Sequence, residues 1–202
     1  MNPEPGSADT PDGSRQEPRL PPGQVLTDKW PVLHHGSMPK VDLARWDLRV
    51  DGLVADPVRW TWEEFHALPR VQVRSDIHCV TRWSRYDNLW EGVAAAEALR
   101  RAGIKPEARF AIVHAEQGFT ANLPLAALLE PDVLLADTHD GRPLAPEHGW
   151  PLRLVVPRRY FWKSAKWVRR IELATADRPG FWEQNGYHND ADPWREERFS
   201  DW

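Results

Sequence analysis

Residues 71–84 read VQVRSDIHCVTRWS. Apolar and polar side chains alternate from Val71 to Ile77, the period of a half-buried β-strand. The stretch therefore predicts a strand that delivers His78 and Cys79 at its C-terminal end, where a rigid scaffold carries chemistry on its loops. Cys79 is the only cysteine among 202 residues, with His78 before it and Arg82 three positions on. It reads in three ways. A lone thiol can be a small buried apolar group, a nucleophile whose thiolate is favoured by neighbouring cations, or a ligand to a metal. Zinc does not fit, because the chain has no C-x-x-C or H-E-x-x-H and a structural zinc site wants four protein ligands.

Working outward, DLRVDG (47–52) alternates and ends in a turn signal, a second strand. Thr61 and Glu64 have the spacing of a capping box, which opens a short helix that Pro69 stops. VAAAEALRRAG (93–103) predicts a helix with Gly103 as its C-cap, and PLAALLEP (124–131) a short helix between prolines. RFAIVHA (109–115), VLLAD (133–137), PLRLVVP (151–157) and KWVRRIELA (166–174) read as strands. Strands outnumber helices and the helices are short, so the expected class is α+β, mixed and strand-rich. Residues 1–24 are rich in Pro, Gly, Ser and acids and predict a disordered tail. A single domain over 25–202 follows, its aromatic but aperiodic segment from Asp177 onward packed over the rest.

With 41% hydrophobic and 28% charged residues the chain is globular and long enough for a real core. Its net charge of −4 offers no general attraction to nucleic acid. No long apolar run predicts a membrane span. The N-terminus carries neither an apolar signal core nor a twin arginine, so a cytoplasmic protein is expected.

A second stretch concentrates charge. In EHGWPLRLVVPRRYFWKSAKWVRR (147–170), the span from Arg153 to Arg170 holds seven Lys/Arg and no acid. Such a local excess in a net-negative chain suggests a bound anion, and arginines with a Lys-Ser-x-Lys cluster suit phosphate. No Gly-x-x-x-x-Gly-Lys precedes it, so it is not a Walker loop. His34, His35, His114 and His148 would, together with Cys79 and the basic run, suit a polar, anionic, heteroaromatic cofactor.

Residues from Trp30 to Phe199 also resemble the sulfite-oxidase-type molybdopterin domain, above all its bacterial single-domain branch. The matching pieces include WPVLHHG, WDLRVDGLV, HCVTRWS, TANLPL and GRPLAPEHGWPLRLVVP followed by KSAKW. The resemblance implies molybdopterin as cofactor and Cys79 as the protein's thiolate ligand to molybdenum. It puts His34, His148, Arg153, Ser164, Ala165 and Lys166 on cofactor-binding positions. It implies an oxidoreductase acting on a small-molecule substrate, with a separate electron-transfer partner. Where sulfite oxidases carry an active-site tyrosine this chain has Asp137, and Asp137 with Arg82 is expected to border the open face of the metal. Cys79 and Trp83 share a Cys-x-x-x-Trp spacing with an exported bacterial relative that reduces methionine sulfoxide. Two other readings stay open on residues alone: a cysteine-dependent hydrolase or transferase, and a binding domain without catalysis.

Overall fold

The structure, a computed structural model, describes residues 18–200. The expected tail over residues 1–17 and the last two residues of the expected domain lie outside the described residues. Residues 18–24, expected to belong to the tail, are packed. Arg19 bridges Asp76 at 2.8 Å and Asp87 at 2.7 Å, the Pro18 carbonyl accepts from the Trp194 indole at 2.7 Å, and Gln24 is buried.

Two sheets form the fold. The first contains β1 (Val25–Leu26), β4 (Val71–His78), β5 (Trp83–Ala94), β8 (Leu134–His139), β9 (Arg142–Pro143) and β10 (Arg153–Val155). The second runs β3 (Val58–Thr61), β2 (Asp47–Gly52), β11 (Val168–Ala174), β6 (Phe110–Ala115), β7 (Thr120–Pro124). The helices are short: α1 (Trp62–His66), α2 (Ala95–Ala102), α3 (Leu125–Leu128) and α4 (Phe181–Gln184). The strand-rich α+β expectation agrees with this architecture, and the capping box forms with both Thr61 and Glu64 bonded.

Strand β5 organises the first sheet. Along one edge it pairs antiparallel with all of β4, while β1 pairs parallel with its start and β8 antiparallel with its end. The β4 pairing returns the chain from His78 opposite Ser84, so Cys79 sits in the connecting turn. The expected strand at 151–157 is confined to three residues, since Pro151 and Pro157 flank it and neither can donate to a ladder. Strand β11 starts at Val168 rather than Lys166, because Trp167 takes a φ of 54°.

Alternation then decides which side chains meet. Leu135 and Leu154 join Val93 and face the second sheet, where they bury against Leu48, Val50, Val113 and Ile171 together with Ala98 and Leu99 of α2. Each of the Val, Leu and Ile side chains contributes roughly 1.5–3 kcal/mol of burial. Their neighbours Leu134, Ala136 and Val155 point to the opposite face of the first sheet and pack with Ile77, Trp90, Trp30 and Phe161. Arg153, two residues before Val155, shares that outer face. The site is built there.

At Gly92 a register break lets β5 shift against β8. A methyl group there would overlap the Leu135 carbonyl oxygen and crowd the Ala136 Cα at 2.8 Å. Gly92→Ala is expected to destabilise the fold by about 1–3 kcal/mol through overpacking, measured by denaturant unfolding; an unchanged midpoint would refute the strand contact.

Candidate active site

The turn after β4 is tightly tied. The Cys79 amide donates to the Trp83 carbonyl at 2.9 Å, and the Arg82 amide to the Cys79 carbonyl at 3.0 Å, with Arg82 at φ 72°. Cys79 is 8% exposed, its Sγ lies 3.2 Å from Thr81 Oγ1, and it lines a cavity of about 340 Å³. Burial pushes the thiol pKa up, against the smaller opposing influences of Thr81 and the Arg198 charge. The cations that the sequence places beside the thiol do not act on it. His78 points to the other side of the strand, with Nδ1 2.8 Å from Ser84 Oγ, and burial holds its pKa at about 4, so it is neutral. The Arg82 guanidinium is turned outward, 3.9 Å from Glu196. A Cys79–His78 nucleophilic pair is not formed.

Across the cavity stand Arg153, Ser164, Ala165, Lys166 and His34. Arg153 is 1% exposed and, among the described residues, donates only to carbonyls, of His148 at 2.8 Å and Ser164 at 3.0 Å, with a 3.5 Å contact to Leu154. Its guanidinium carbon lies 4.2 Å from the Phe161 ring centre. Burial pulls its pKa down to about 9. A guanidinium taken out of water with no carboxylate beside it is costly, and a bound anion would relieve that cost. Lys166 donates to the Leu33 and Glu147 carbonyls at 2.8 and 2.6 Å. Burial and the charge of Arg153 pull it down to about 7, partly offset by Glu147. Ser164 Oγ accepts from the Val156 amide at 2.9 Å, which fixes the segment behind the cavity.

His148 lies in an adjoining cavity of about 410 Å³, separated from the first by Trp30, which lines both. The two rings stack at 3.8 Å between centres. His148 Nδ1 is buried with no hydrogen-bond partner among the described residues, and the ring is held neutral, at about 4, by burial, Arg153 and Lys166. Gly149 adopts φ 113°, and a Cβ there would come within 3.1–3.3 Å of Arg153 and Lys166. An unpartnered buried ring nitrogen and an uncompensated cation together suit a flat heterocycle with an anionic end.

Two expected residues are elsewhere. Asp137 shares the face of Leu135, away from the cavity, and is gripped by Arg70 at 2.8 and 2.6 Å and by Thr138 at 2.7 Å. The pleat of β8, not distance along the chain, excludes it. Arg82 contributes backbone to the turn while its side chain leaves it. The high tryptophan content read either as core filling or as the lining of a pocket, without naming its residues; Trp30, Trp83, Phe119, Trp167, Phe181 and Trp182 line the cavity. The twelve tryptophans of the chain were its signal.

Comparison with known proteins agrees with this geometry. Residues 35–182 match the model of the oxidoreductase molybdopterin binding domain. The chain is 51% identical over 188 residues to the protein named "Uncharacterized oxidoreductase YuiH" of Bacillus subtilis, covering 93% of this chain and 95% of that one. It is 26% identical over 210 residues to mitochondrial sulfite oxidase of Drosophila melanogaster, covering 91% of this chain but 36% of the other. The crystal structure of the sulfane dehydrogenase SoxCD from Paracoccus pantotrophus shares the fold, with TM-score 0.67 and 24% identity over 76% of this chain and 43% of that one. Among the described residues no helix is long and apolar enough to cross a membrane. A cavity with a thiol and a buried guanidinium, beside an adjoining one with the neutral His148 imidazole, lies on a chain whose match over most of its length places it in the molybdopterin-binding oxidoreductase family, with molybdopterin as its cofactor.

Proposed function

We propose that this oxidoreductase acts in the cytoplasm on a small substrate, with Cys79 as the protein's ligand to molybdenum and a separate protein as its electron-transfer partner. One observation carries the reading: Cys79 and the buried Arg153 line the same cavity. The residues present suit the cofactor. Arg153 and Lys166 would hold its phosphate, and His34, His148 and the 164–166 segment its pterin. When bound, the group supplies a redox metal able to exchange an oxygen atom or electrons with a substrate; the chain's own part is to bind, orient and exclude water. A thiol pushed up by burial is a poor free nucleophile but a sound soft ligand once a metal displaces its proton. The test is elemental analysis for molybdenum together with fluorescence of the oxidised pterin released on denaturation. Protein from a cofactor-competent host that contains neither would instead be a binding domain on the same fold.

The cation cluster gives a pH test. Lys166 titrates at about 7 in the cofactor-free protein, facing Arg153, Glu147, His34 and His148. An anion beside it raises that pKa, so above pH 7 binding takes up a proton and affinity falls as pH rises. Sulfate, whose charge is constant over the range, is expected to bind cofactor-free protein more weakly by up to about tenfold per pH unit above 7. Titration calorimetry that finds a flat or rising affinity would remove Lys166 from the anion site.

A further inference from the structure

The family match ends at residues 35 and 182, yet the turn that presents Cys79 is held by two side chains beyond those limits. Gln24 Nε2 donates to the Cys79 carbonyl at 3.0 Å, and Arg198 Nη1 to the Val80 carbonyl at 2.8 Å. Arg198 Nη2 reaches Gln24 Oε1 at 3.4 Å and the carbonyls of Pro22 and Gly23 at 3.4 and 3.5 Å. Gln24 and Arg198, from opposite ends of the described residues, thus meet at the turn and grip two successive carbonyls.

Arg198 is a poor device for stability alone. It is 5% exposed, its Nε has no hydrogen-bond partner among the described residues, and its nearest acid, the half-exposed Glu196, is 3.6 Å away. Its guanidinium carbon lies 4.8 Å from the centre of the buried Tyr160 ring. A charge buried at such cost, with one short bond and several long ones, is better explained by what that short bond does. With the carbonyls of Cys79 and Val80 both pinned, and the amides of Cys79 and Arg82 bonded within the turn, the Cα–Cβ bond of Cys79 has one direction left.

We propose that Arg198, with Gln24, is a positioning residue for Cys79 that fixes the direction in which its sulfur enters the cavity. The inference rests on the reading of Cys79 as the metal's ligand. Partners that orient a metal ligand from behind matter nearly as much as the ligand, their loss costing about 10–100-fold in activity or metal affinity.

The experiment compares Arg198→Gln and Gln24→Met with the parent and with Cys79→Ser, all loaded in a cofactor-competent host. Both positioning variants are expected to retain a folded melting transition, to lower kcat by about 10–100-fold with KM unchanged, and to shift the electron paramagnetic resonance signal of the reduced molybdenum. In cofactor-free protein, release of the turn is expected to speed iodoacetamide alkylation of Cys79 about tenfold. Parental signal and parental alkylation rate in both variants would overturn the proposal; if Arg198→Gln does not fold, Gln24→Met decides it alone. A parental signal in Cys79→Ser overturns the ligand reading and this inference with it. A changed signal there, beside parental behaviour in the other two, overturns this inference alone.

Discussion

Replacing Cys79 with Ser is expected to leave a folded, pterin-containing protein whose redox turnover falls by roughly three orders of magnitude, about 4 kcal/mol at the barrier. Serine nearly matches the volume of cysteine, and its oxygen can keep the Thr81 Oγ1 contact that the sulfur makes at 3.2 Å. The turn itself is held through backbone groups, by Gln24 and Arg198, so the substitution does not loosen it. On the proposed reading, pterin retention rests on Arg153 and Lys166 across the cavity rather than on the sulfur. What changes is ligand chemistry. A serine hydroxyl is hard and stays protonated near neutral pH, whereas a thiolate is soft and donates charge to the metal. Molybdenum and pterin content, measured beside viologen-linked turnover of a panel of small oxygen donors, separate loss of ligation from loss of loading. Parental turnover at parental loading would end the ligand assignment.

How far the chain could be read in advance depended on whether a strand has one dry face. Strand β2 at 47–52 and strand β4 at 71–78 were legible to within a residue, because their side chains alternate between core and exterior. Strand β5 was not. Its sequence WSRYDNLWEGVA meets three partners and breaks register between Glu91 and Gly92, so no single periodicity survives over its twelve residues. Strand β7 carries a buried asparagine, Asn122, bonded by Lys163, and so lacks a strand's apolar signature. The basic run holds two buried cations, Lys163 paired with Glu183 and Arg153 facing the cavity, and only the pleat of β10 reveals the second. The side chains of Asp137, expected at the site from the resemblance alone, and Arg82 both lie off the cavity lining, because a strand face and a positive φ are settled in three dimensions. Gln24 and Arg198 had no local signal at all, since each is one polar residue in an irregular segment and their partnership spans 174 positions.

Arg153→Gln tests the anion site from the opposite side of the cavity. Glutamine keeps a donor for one of the two carbonyls, of His148 or Ser164, while removing the charge. A hydrogen bond from a charged group is worth about 1.5–3 kcal/mol, so the pterin content of purified protein is expected to drop at least about tenfold. The folded state should tolerate the change, because loss of a carbonyl bond is offset by relief of a guanidinium buried without a carboxylate. Sulfate provides the discriminating measurement. A ligand that binds only the native state raises stability as RT ln(1 + [L]/Kd), so the parental cofactor-free protein should melt at higher temperature as sulfate is added, and the variant should not respond. If Arg153→Gln retains both its pterin and its sulfate response, the charge is not what anchors the cofactor, and the burial of this arginine on the outer face of the first sheet would need another cause. If both vanish together while the melting transition without sulfate stays near the parental one, the cost of keeping a cation in that position is explained by the anion it holds.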